Sequence, residues 1–214
     1  GSCTNSSYED ITRAASIARQ ARAAGLVAKT KLFISPGSEQ IRDTIERDGL
    51  LADLEAIGAV VMANACGPCI GQWERPAQDT AAPNTIVNSF NRNFPKRNDG
   101  SANTFSFVTS PETVIALALA GRLDFDPVHD ELTAPDGTTV RLDVPQGAVL
   151  PENGYDPGDN TFIAPTSDGA GVEVVIDPAS TRLQRLESFA AWDGEPYLNL
   201  PVLMKAQGKC TTDH

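Results

Sequence analysis

Two cysteines separated by two residues are the first candidates for chemistry in this chain. Cys66 and Cys69 enclose Gly67 and Pro68, and a C-x-x-C turn lets two sulfur atoms converge on one centre. Zinc sites, iron–sulfur clusters and dithiol redox sites all use this spacing. The pair therefore predicts sulfur chemistry and leaves these three kinds of site open.

A third cysteine, Cys3, lies in a polar segment just before a predicted helix. The positive end of the helix dipole and the free N–H groups there would stabilise a thiolate. Its neighbours Ser2, Thr4 and Asn5 are polar, whereas inert structural cysteines are usually buried among apolar residues. Four cysteines in 214 residues do not form the dense framework of a disulfide-stapled domain. We expect a reducing compartment and thiolates that are available for metal or redox chemistry.

A thioredoxin-like dithiol site is the natural rival, because Gly67-Pro68 is the dipeptide found between the cysteines of thioredoxins. That interpretation gives Cys3 no role. It also requires a helix directly after the second cysteine, where this chain has the sequence IGQW at residues 70–73. Both features weigh against dithiol redox chemistry.

A basic loop, NRNFPKR at residues 91–97, follows a predicted strand in an otherwise acidic chain. An arbitrary basic loop is most often solvated surface, but guanidinium groups also pair with carboxylates in bidentate fashion. The formal net charge of −11 argues against a general nucleic-acid surface, which needs a concentrated positive face. An acidic substrate would have to be met by locally placed arginines.

The elements that position these residues alternate between helix and strand. Such alternation predicts an α/β layered domain with a mostly parallel sheet, in which ligands gather beyond the carboxyl ends of the strands. Ser6 and Glu9 fit a capping box at the start of the first helix, and the apolar run AVVMANA predicts a buried strand that leads into Cys66. The predicted elements are a helix at 6–25, a strand at 31–35, a helix from 38, a short helix at 50–57, strands at 59–65, 85–90 and 104–109, and a helix from Pro111 to Gly121.

The remainder of the chain has a different character. Asp136-Gly137 between short β-rich runs predicts a hairpin, and a segment rich in Pro, Gly, Asp and Asn from 145 to 178 predicts an extended linker. We assign residues 1–157 to the first domain, 158–180 to the linker and 181–214 to the truncated start of a second domain. No segment has the apolar run of a membrane helix, and no targeting peptide is recognisable at the start. Both ends stop abruptly, so we expect a fragment of a longer polypeptide.

Two segments of this chain, around Cys3 and around the Cys66–Cys69 pair, resemble the two signature segments of the aconitase family. The similarity extends through three further segments and covers essentially the whole chain. The segments are GSCTNS at 1–6, PGSEQ at 36–40, NACGPCIG at 64–71, NRNF at 91–94 and KCTTDH at 209–214.

This resemblance implies a [4Fe-4S] cluster held by Cys3, Cys66 and Cys69. Three thiolates leave one iron open to act as a Lewis acid on a hydroxy acid, and the matching cysteine of the family at Cys210 is not a ligand. The resemblance further implies that Arg92 and Arg97 bind substrate carboxylates, that Asn91 lies against the cluster and can donate an amide N–H to sulfur, and that Asp213 is an active-site aspartate.

The implied activity is the reversible isomerisation of citrate and isocitrate through cis-aconitate, in the mitochondrial matrix. The implied architecture is the cluster-binding third domain, the linker and the start of the swivel domain. In the family, the serine base, another arginine and the histidine–carboxylate pairs lie before and after this stretch. The remaining domains of the same polypeptide are thus expected partners, and the 214 residues alone are expected to be inactive.

Several alternatives stay open from the sequence. Within the family these are homoaconitase, the large subunit of isopropylmalate dehydratase and the cytosolic RNA-binding aconitases, although the CGPCIGQW run at residues 66–73 and the acidic balance favour the mitochondrial type. Outside it, an electron-transfer iron–sulfur module would have a closed cluster, and a structural zinc domain would need a fourth thiolate or histidine. His129 has no motif around it and is expected at the surface, and His214 has only its neighbour Asp213.

Overall fold

The structure is a computed structural model of the 214-residue chain that describes residues 1–76, 80–158 and 162–208. Contacts divide the chain into two units, Gly1–Thr161 and Phe162–His214. The first unit contains all the helices and strands given below. The proposed domain and linker boundaries at 157 and 180 stay a prediction.

Helix α1 spans Tyr8–Ala23 and begins two residues later than the helix predicted at 6–25. Ser7 is the N-cap: its side chain accepts a hydrogen bond from the Asp10 N–H, and the Asp10 side chain accepts one from the Ser7 N–H. The predicted capping box at Ser6 and Glu9 was therefore wrong. Ser6 is buried, and its hydroxyl donates instead to the carbonyl oxygen of Ser35 at 3.0 Å.

Two parallel strand pairs carry the α/β character of the first unit, as predicted. Strand β1 (Leu32–Ile34) pairs with β2 (Ala59–Val61), and β3 (Asn84–Asn88) pairs in parallel with β4 (Thr104–Val108). The hairpin expected around Asp136-Gly137 is confirmed as the antiparallel pair β5 (Leu132–Thr133) and β6 (Thr139–Val140).

The strand predicted at 59–65 was too long, and it is less buried than expected. Strand β2 ends at Val61, and the side chain of Val60 is 56% exposed. A tight turn, in which the Ala65 N–H donates to the Ala63 carbonyl at 2.8 Å, redirects the backbone towards Cys66. Local turn formation thus overrides the extended conformation that the apolar run favours.

The other helices within the described ranges are α2 (Glu39–Arg47), α3 (Leu50–Glu55) and α4 (Pro111–Ala120), and a 3₁₀ turn spans Gly67–Cys69. Helix α1 packs against α3 and α4. The apolar core lies between these helices and strand β1, and its largest almost completely inaccessible side chains are Ile45, Leu54, Ile57, Ile115 and Leu119. Helix α4 begins at Pro111 and ends before Gly121 at φ +72°, both as predicted.

The second unit has no helix or strand among its described residues, 162–208. Its large apolar side chains are exposed, with Phe189 at 94% and Leu203 at 100%. Across the described part of the chain, no helix combines the length and the apolar character that crossing a lipid bilayer would require.

Candidate metal centre

The paired cysteines lie on a 3₁₀ turn that follows strand β2. The Cys69 and Ile70 N–H groups both donate to the Cys66 carbonyl, at 2.9 and 3.0 Å, and the Gln72 N–H donates to the Gly67 carbonyl at 2.9 Å. We call residues 66–72 the cysteine turn. Cys66 is exposed and Cys69 is half-buried, and both are free thiols.

Cys3 lies in a segment that packs against the carboxyl end of β1. Besides the Ser6–Ser35 hydrogen bond, a Cβ atom on Gly37 would lie 3.0 Å from the Ser6 carbonyl oxygen, so the two backbones are in contact. Because β1 and β2 are parallel neighbours, their carboxyl ends lie at the same edge. The Gly1 ammonium donates to the Ser35 carbonyl oxygen at 3.5 Å, which places the first residue at this end of β1. The Cys3 segment and the cysteine turn are therefore neighbours.

The donor set at this edge consists of three free thiols, two of them exposed. Among the described residues, no group of three or more His, Cys, Asp and Glu side chains is arranged to hold a single metal ion. A [4Fe-4S] cluster carries its thiolates on separate iron atoms, so its ligands need not converge on one ion. Soft thiolates are the ligands that iron–sulfur clusters take, so the residue types at this edge suit that group.

Arg97 connects the basic loop to the cysteine turn. Its Nη2 donates to the Cys69 Sγ at 3.1 Å and to the Asn91 Oδ1 at 3.0 Å, and its guanidinium lies 5.0 Å from the centre of the Phe94 ring. The side chain is buried, and its Nε has no hydrogen-bond partner among the described residues. A buried guanidinium with an unused N–H can accept a further anionic partner.

Asn91 and Arg92 are both exposed, at the start of the same loop. Asn91 reaches Cys69 only through Arg97, because its oxygen accepts from the guanidinium; the direct N–H donor to the sulfur is the arginine. The Arg92 side chain makes no hydrogen bond or ion pair with any residue that the structure describes, so its guanidinium is available to a ligand.

Two of the segments that resemble family signatures meet next to this edge. A hydrogen bond from Asn64, and then one from Arg42, lowers the pKa of Glu39 at the first position of α2. Asn64 lies two residues before Cys66, so this contact ties the approach to the cysteine turn to the start of α2.

Three polar residues that organise this region are not recognisable as functional from the sequence: Arg75, Asn98 and Asp99. Asn98 is 1% exposed, and its Nδ2 donates to the Pro68 carbonyl in the cysteine turn at 3.1 Å. The Arg75 Nη1 lies 2.8 Å from the Asp99 Oδ2, and the Asp99 side chain is completely inaccessible. The Asn-Asp-Gly run at 98–100 is typical of a solvated turn, and nothing in the sequence distinguishes these buried polar residues from surface ones.

The other candidates lie elsewhere. His129 is at the surface as expected, with its ring 2.7 Å from Asp126. Asp213, Cys210 and His214 fall outside the described residues.

Comparison with known proteins identifies a family and several relatives that this chain resembles. Residues 1–121 match the Aconitase family (aconitate hydratase). All 214 residues are 58% identical to a protein named mitochondrial aconitate hydratase from Candida albicans and 54% identical to one from Saccharomyces cerevisiae. A protein named probable mitochondrial aconitate hydratase from Caenorhabditis elegans is 56% identical over the same length.

A thiol-rich α/β domain that matches this family over more than half of its length defines the class: the chain belongs to the aconitase family. It spans 28% of the length of the relatives from the two yeasts and 27% of the one from Caenorhabditis elegans.

Proposed function

We propose that this chain is the part of a mitochondrial aconitate hydratase that holds the [4Fe-4S] cluster and part of the tricarboxylate site. Cys3, Cys66 and Cys69 are the proposed ligands. Family membership and the names of the full-length relatives support the activity and the location in the mitochondrial matrix. The remaining domains of the polypeptide are the proposed partners, with residues 158–180 as the linker and 181–214 as the start of the swivel domain.

The contact between the Arg97 guanidinium and the Cys69 sulfur, 3.1 Å long, is the observation that carries the proposal. It brings together the two chemistries that the reaction needs, a soft ligand for iron and a cation for a carboxylate. When bound, the cluster supplies an open iron that acts as a Lewis acid towards the substrate hydroxyl and carboxylate.

The chain's own residues bind and orient the substrate in this proposal. Arg92 offers an unpaired guanidinium at the surface, and Arg97 is held in place by Asn91 and Phe94 while its Nε has no partner among the described residues. Each sheltered charge-assisted contact to a carboxylate contributes about 2 kcal/mol. Citrate, isocitrate and cis-aconitate all present such carboxylates. Asp213 is proposed as an active-site aspartate on the strength of the family resemblance alone.

By the family resemblance, the serine base and the histidine pairs belong to parts of the polypeptide before and after these 214 residues. We infer that the isolated chain does not turn over isocitrate, while the longer polypeptide that carries it does. An assay of both for cis-aconitate formation tests this, and substantial turnover by the 214 residues alone would show that the chain holds a complete site.

The cluster is tested by anaerobic reconstitution of the longer polypeptide with Fe²⁺ and sulfide. We expect a brown protein whose mild oxidation gives the EPR signal of a three-iron cluster, and a change in the spectrum of the reduced cluster when citrate is added. Serine replacements at Cys3, Cys66 and Cys69 should each abolish the signal, and Cys210→Ser, the matched control, should retain it.

Other results would identify the alternatives. A colourless protein that contains zinc would indicate a structural zinc domain, and a cluster that resists the loss of one iron would indicate an electron-transfer module. Within the family, comparing rates with citrate, its homologue with an additional methylene and isopropylmalate separates aconitase from homoaconitase and isopropylmalate dehydratase.

A further inference from the structure

Residues 94–100 form a tight turn that packs on the cysteine turn. The Arg97 N–H donates to the Phe94 carbonyl at 3.1 Å, and the Gly100 N–H donates to the Lys96 carbonyl at 3.2 Å. Lys96 has a φ of +67°, which is uncommon for a residue with a side chain. We call residues 94–100 the clamp loop.

The backbones of the clamp loop and the cysteine turn are in direct contact. Gly71 has a φ of +80°, and a Cβ atom there would lie 3.0 Å from the Lys96 carbonyl oxygen and 3.3 Å from that of Arg97. A Cβ atom on Gly100 would lie 3.6 Å from the Gly71 carbonyl oxygen. Only glycine at position 71 allows both this backbone conformation and this approach.

Asn98 is the buried side chain that joins the two loops. Its Nδ2 donates at 3.1 Å to the carbonyl of Pro68, the residue just before Cys69. Its Oδ1 is buried without a partner among the described residues. An unpaired buried acceptor destabilises the fold. The favourable contact of the Asn98 amide is therefore its single hydrogen bond to the cysteine turn.

Asp99 fixes the other side of the clamp loop. Its Oδ2 accepts from the Arg75 Nη1 at 2.8 Å and from the Thr104 hydroxyl at 2.7 Å, and its Oδ1 accepts from the Ser101 N–H at 3.0 Å. Arg75 lies beyond the cysteine turn, and Thr104 begins strand β4. The clamp loop is thus hydrogen-bonded to strand β4 through Asp99 and to the cysteine turn through Asn98.

We propose that Asn98 is a positioning residue that holds the cysteine turn in its ligating geometry through the Pro68 carbonyl, and that it controls how firmly the iron–sulfur cluster is retained. This inference rests on the proposed function for its cluster. The claim that Asn98 immobilises residues 66–72 does not depend on the cluster, and it can be measured in the protein without iron.

The test uses Asn98→Leu in the longer polypeptide that carries this chain. Leucine has the branching of asparagine but no N–H and no oxygen, so it removes both the bond and the unpaired acceptor. Because leucine is also larger than asparagine, the smaller Asn98→Ser is measured beside it to separate loss of the bond from overpacking. Asn103→Leu is the control for losing an asparagine amide elsewhere: the exposed Asn103 amide also donates to carbonyls, those of Thr80 and Ala81 at 3.1 and 3.2 Å, away from the cysteine turn.

In the apo protein, hydrogen–deuterium exchange reports on the turn. We expect the Cys69, Ile70 and Gln72 amides to exchange about tenfold faster in Asn98→Leu and to be unchanged in Asn103→Leu. In the reconstituted protein, the rate at which EDTA removes iron should rise by about tenfold or more in Asn98→Leu, the range typical of lost supporting contacts around a metal. It should stay within about twofold of the wild-type rate in Asn103→Leu.

Equal exchange and equal iron loss in the two variants would overturn the inference. A wild-type protein that takes up no cluster would refute the proposed function, and the exchange measurement would still decide whether Asn98 immobilises the turn. If Asn98→Leu does not fold, Asn98→Ser alone decides the test. Its shorter side chain does not reach Pro68, so it should show the same faster exchange.

Discussion

The helical core and the candidate site are held together by different forces. Around Leu54 and Leu119 the chain is stabilised by apolar burial between α1, α3 and α4. Around Cys69 the contacts are polar: a guanidinium on sulfur, an amide on a carbonyl and a buried ion pair. Apolar packing is non-directional, whereas hydrogen bonds fix distances and angles. The core therefore stabilises the fold, and the hydrogen bonds of the polar loops fix the positions of the side chains around Cys69.

The largest expected effect on stability lies in the core. Leu54 is completely buried, so Leu54→Ala should lower the free energy of unfolding by about 2–5 kcal/mol through lost burial and an unfilled cavity. Urea denaturation followed by circular dichroism measures this. Leu123, which is 49% exposed, provides the matched control, and Leu123→Ala should change the free energy by less than about 0.5 kcal/mol. Similar losses in both variants would show that the helices are not the source of stability.

A smaller, pH-dependent effect is expected at the edge of the clamp loop. Burial alone would raise the pKa of Asp99, but hydrogen bonds from Thr104, Ser101 and Arg75 outweigh it and leave the pKa below its ordinary value of 3.8. The charged carboxylate therefore stabilises the fold above its unfolded pKa of about 3.9. That stabilisation is lost as the pH falls through the depressed folded pKa.

Asp99→Asn should accordingly lower the free energy of unfolding by about 1–3 kcal/mol at pH 7, the usual range for hydrogen bonds to a charged group. The difference between variant and wild type should persist down to about pH 4 and narrow below it. Denaturation series at several pH values measure this difference. If the free energy of unfolding of Asp99→Asn were lower than that of the wild type by the same amount at every pH, the shape of the Asp99 side chain rather than its charge would stabilise the fold.

The smallest effect is expected at the start of α1. Ser7→Ala removes the side-chain acceptor of the Asp10 N–H and should destabilise the chain by about 1 kcal/mol. Ser110 is also an N-cap residue, but it makes no capping hydrogen bond, so Ser110→Ala should have a smaller effect on the same denaturation midpoint. The reverse order would contradict the assignment of the cap.

Much of the helical layer could be predicted because its signals are local. Pro111 and Gly121 mark the two ends of α4 through their own backbone preferences, and Ser38 caps α2 by accepting from the Ile41 N–H. The start of α1 was misplaced because two adjacent serines both fit a cap. The choice depends on the distant Ser35 carbonyl, which takes the Ser6 hydroxyl.

The candidate site likewise has one part that the sequence predicts and another that it does not. The C-x-x-C spacing and the basic loop are visible in the sequence, and so are the residue types at Cys69 and Arg97. Their contact, and the burial of Asn98 and Asp99, depend on how two loops 30 residues apart in sequence meet. No local preference encodes that meeting, so it could not be predicted from the residues themselves.

The exposed strand faces have a practical consequence for handling the protein. Phe105 and Phe107 on β4 are 56% and 48% exposed, and in the described part of the chain each parallel ladder has only two strands. Unpaired backbone groups beside apolar side chains are templates for edge-to-edge association. The 214 residues should be purified dilute and studied below the concentration at which light scattering first rises, since self-association there would reflect uncovered strands.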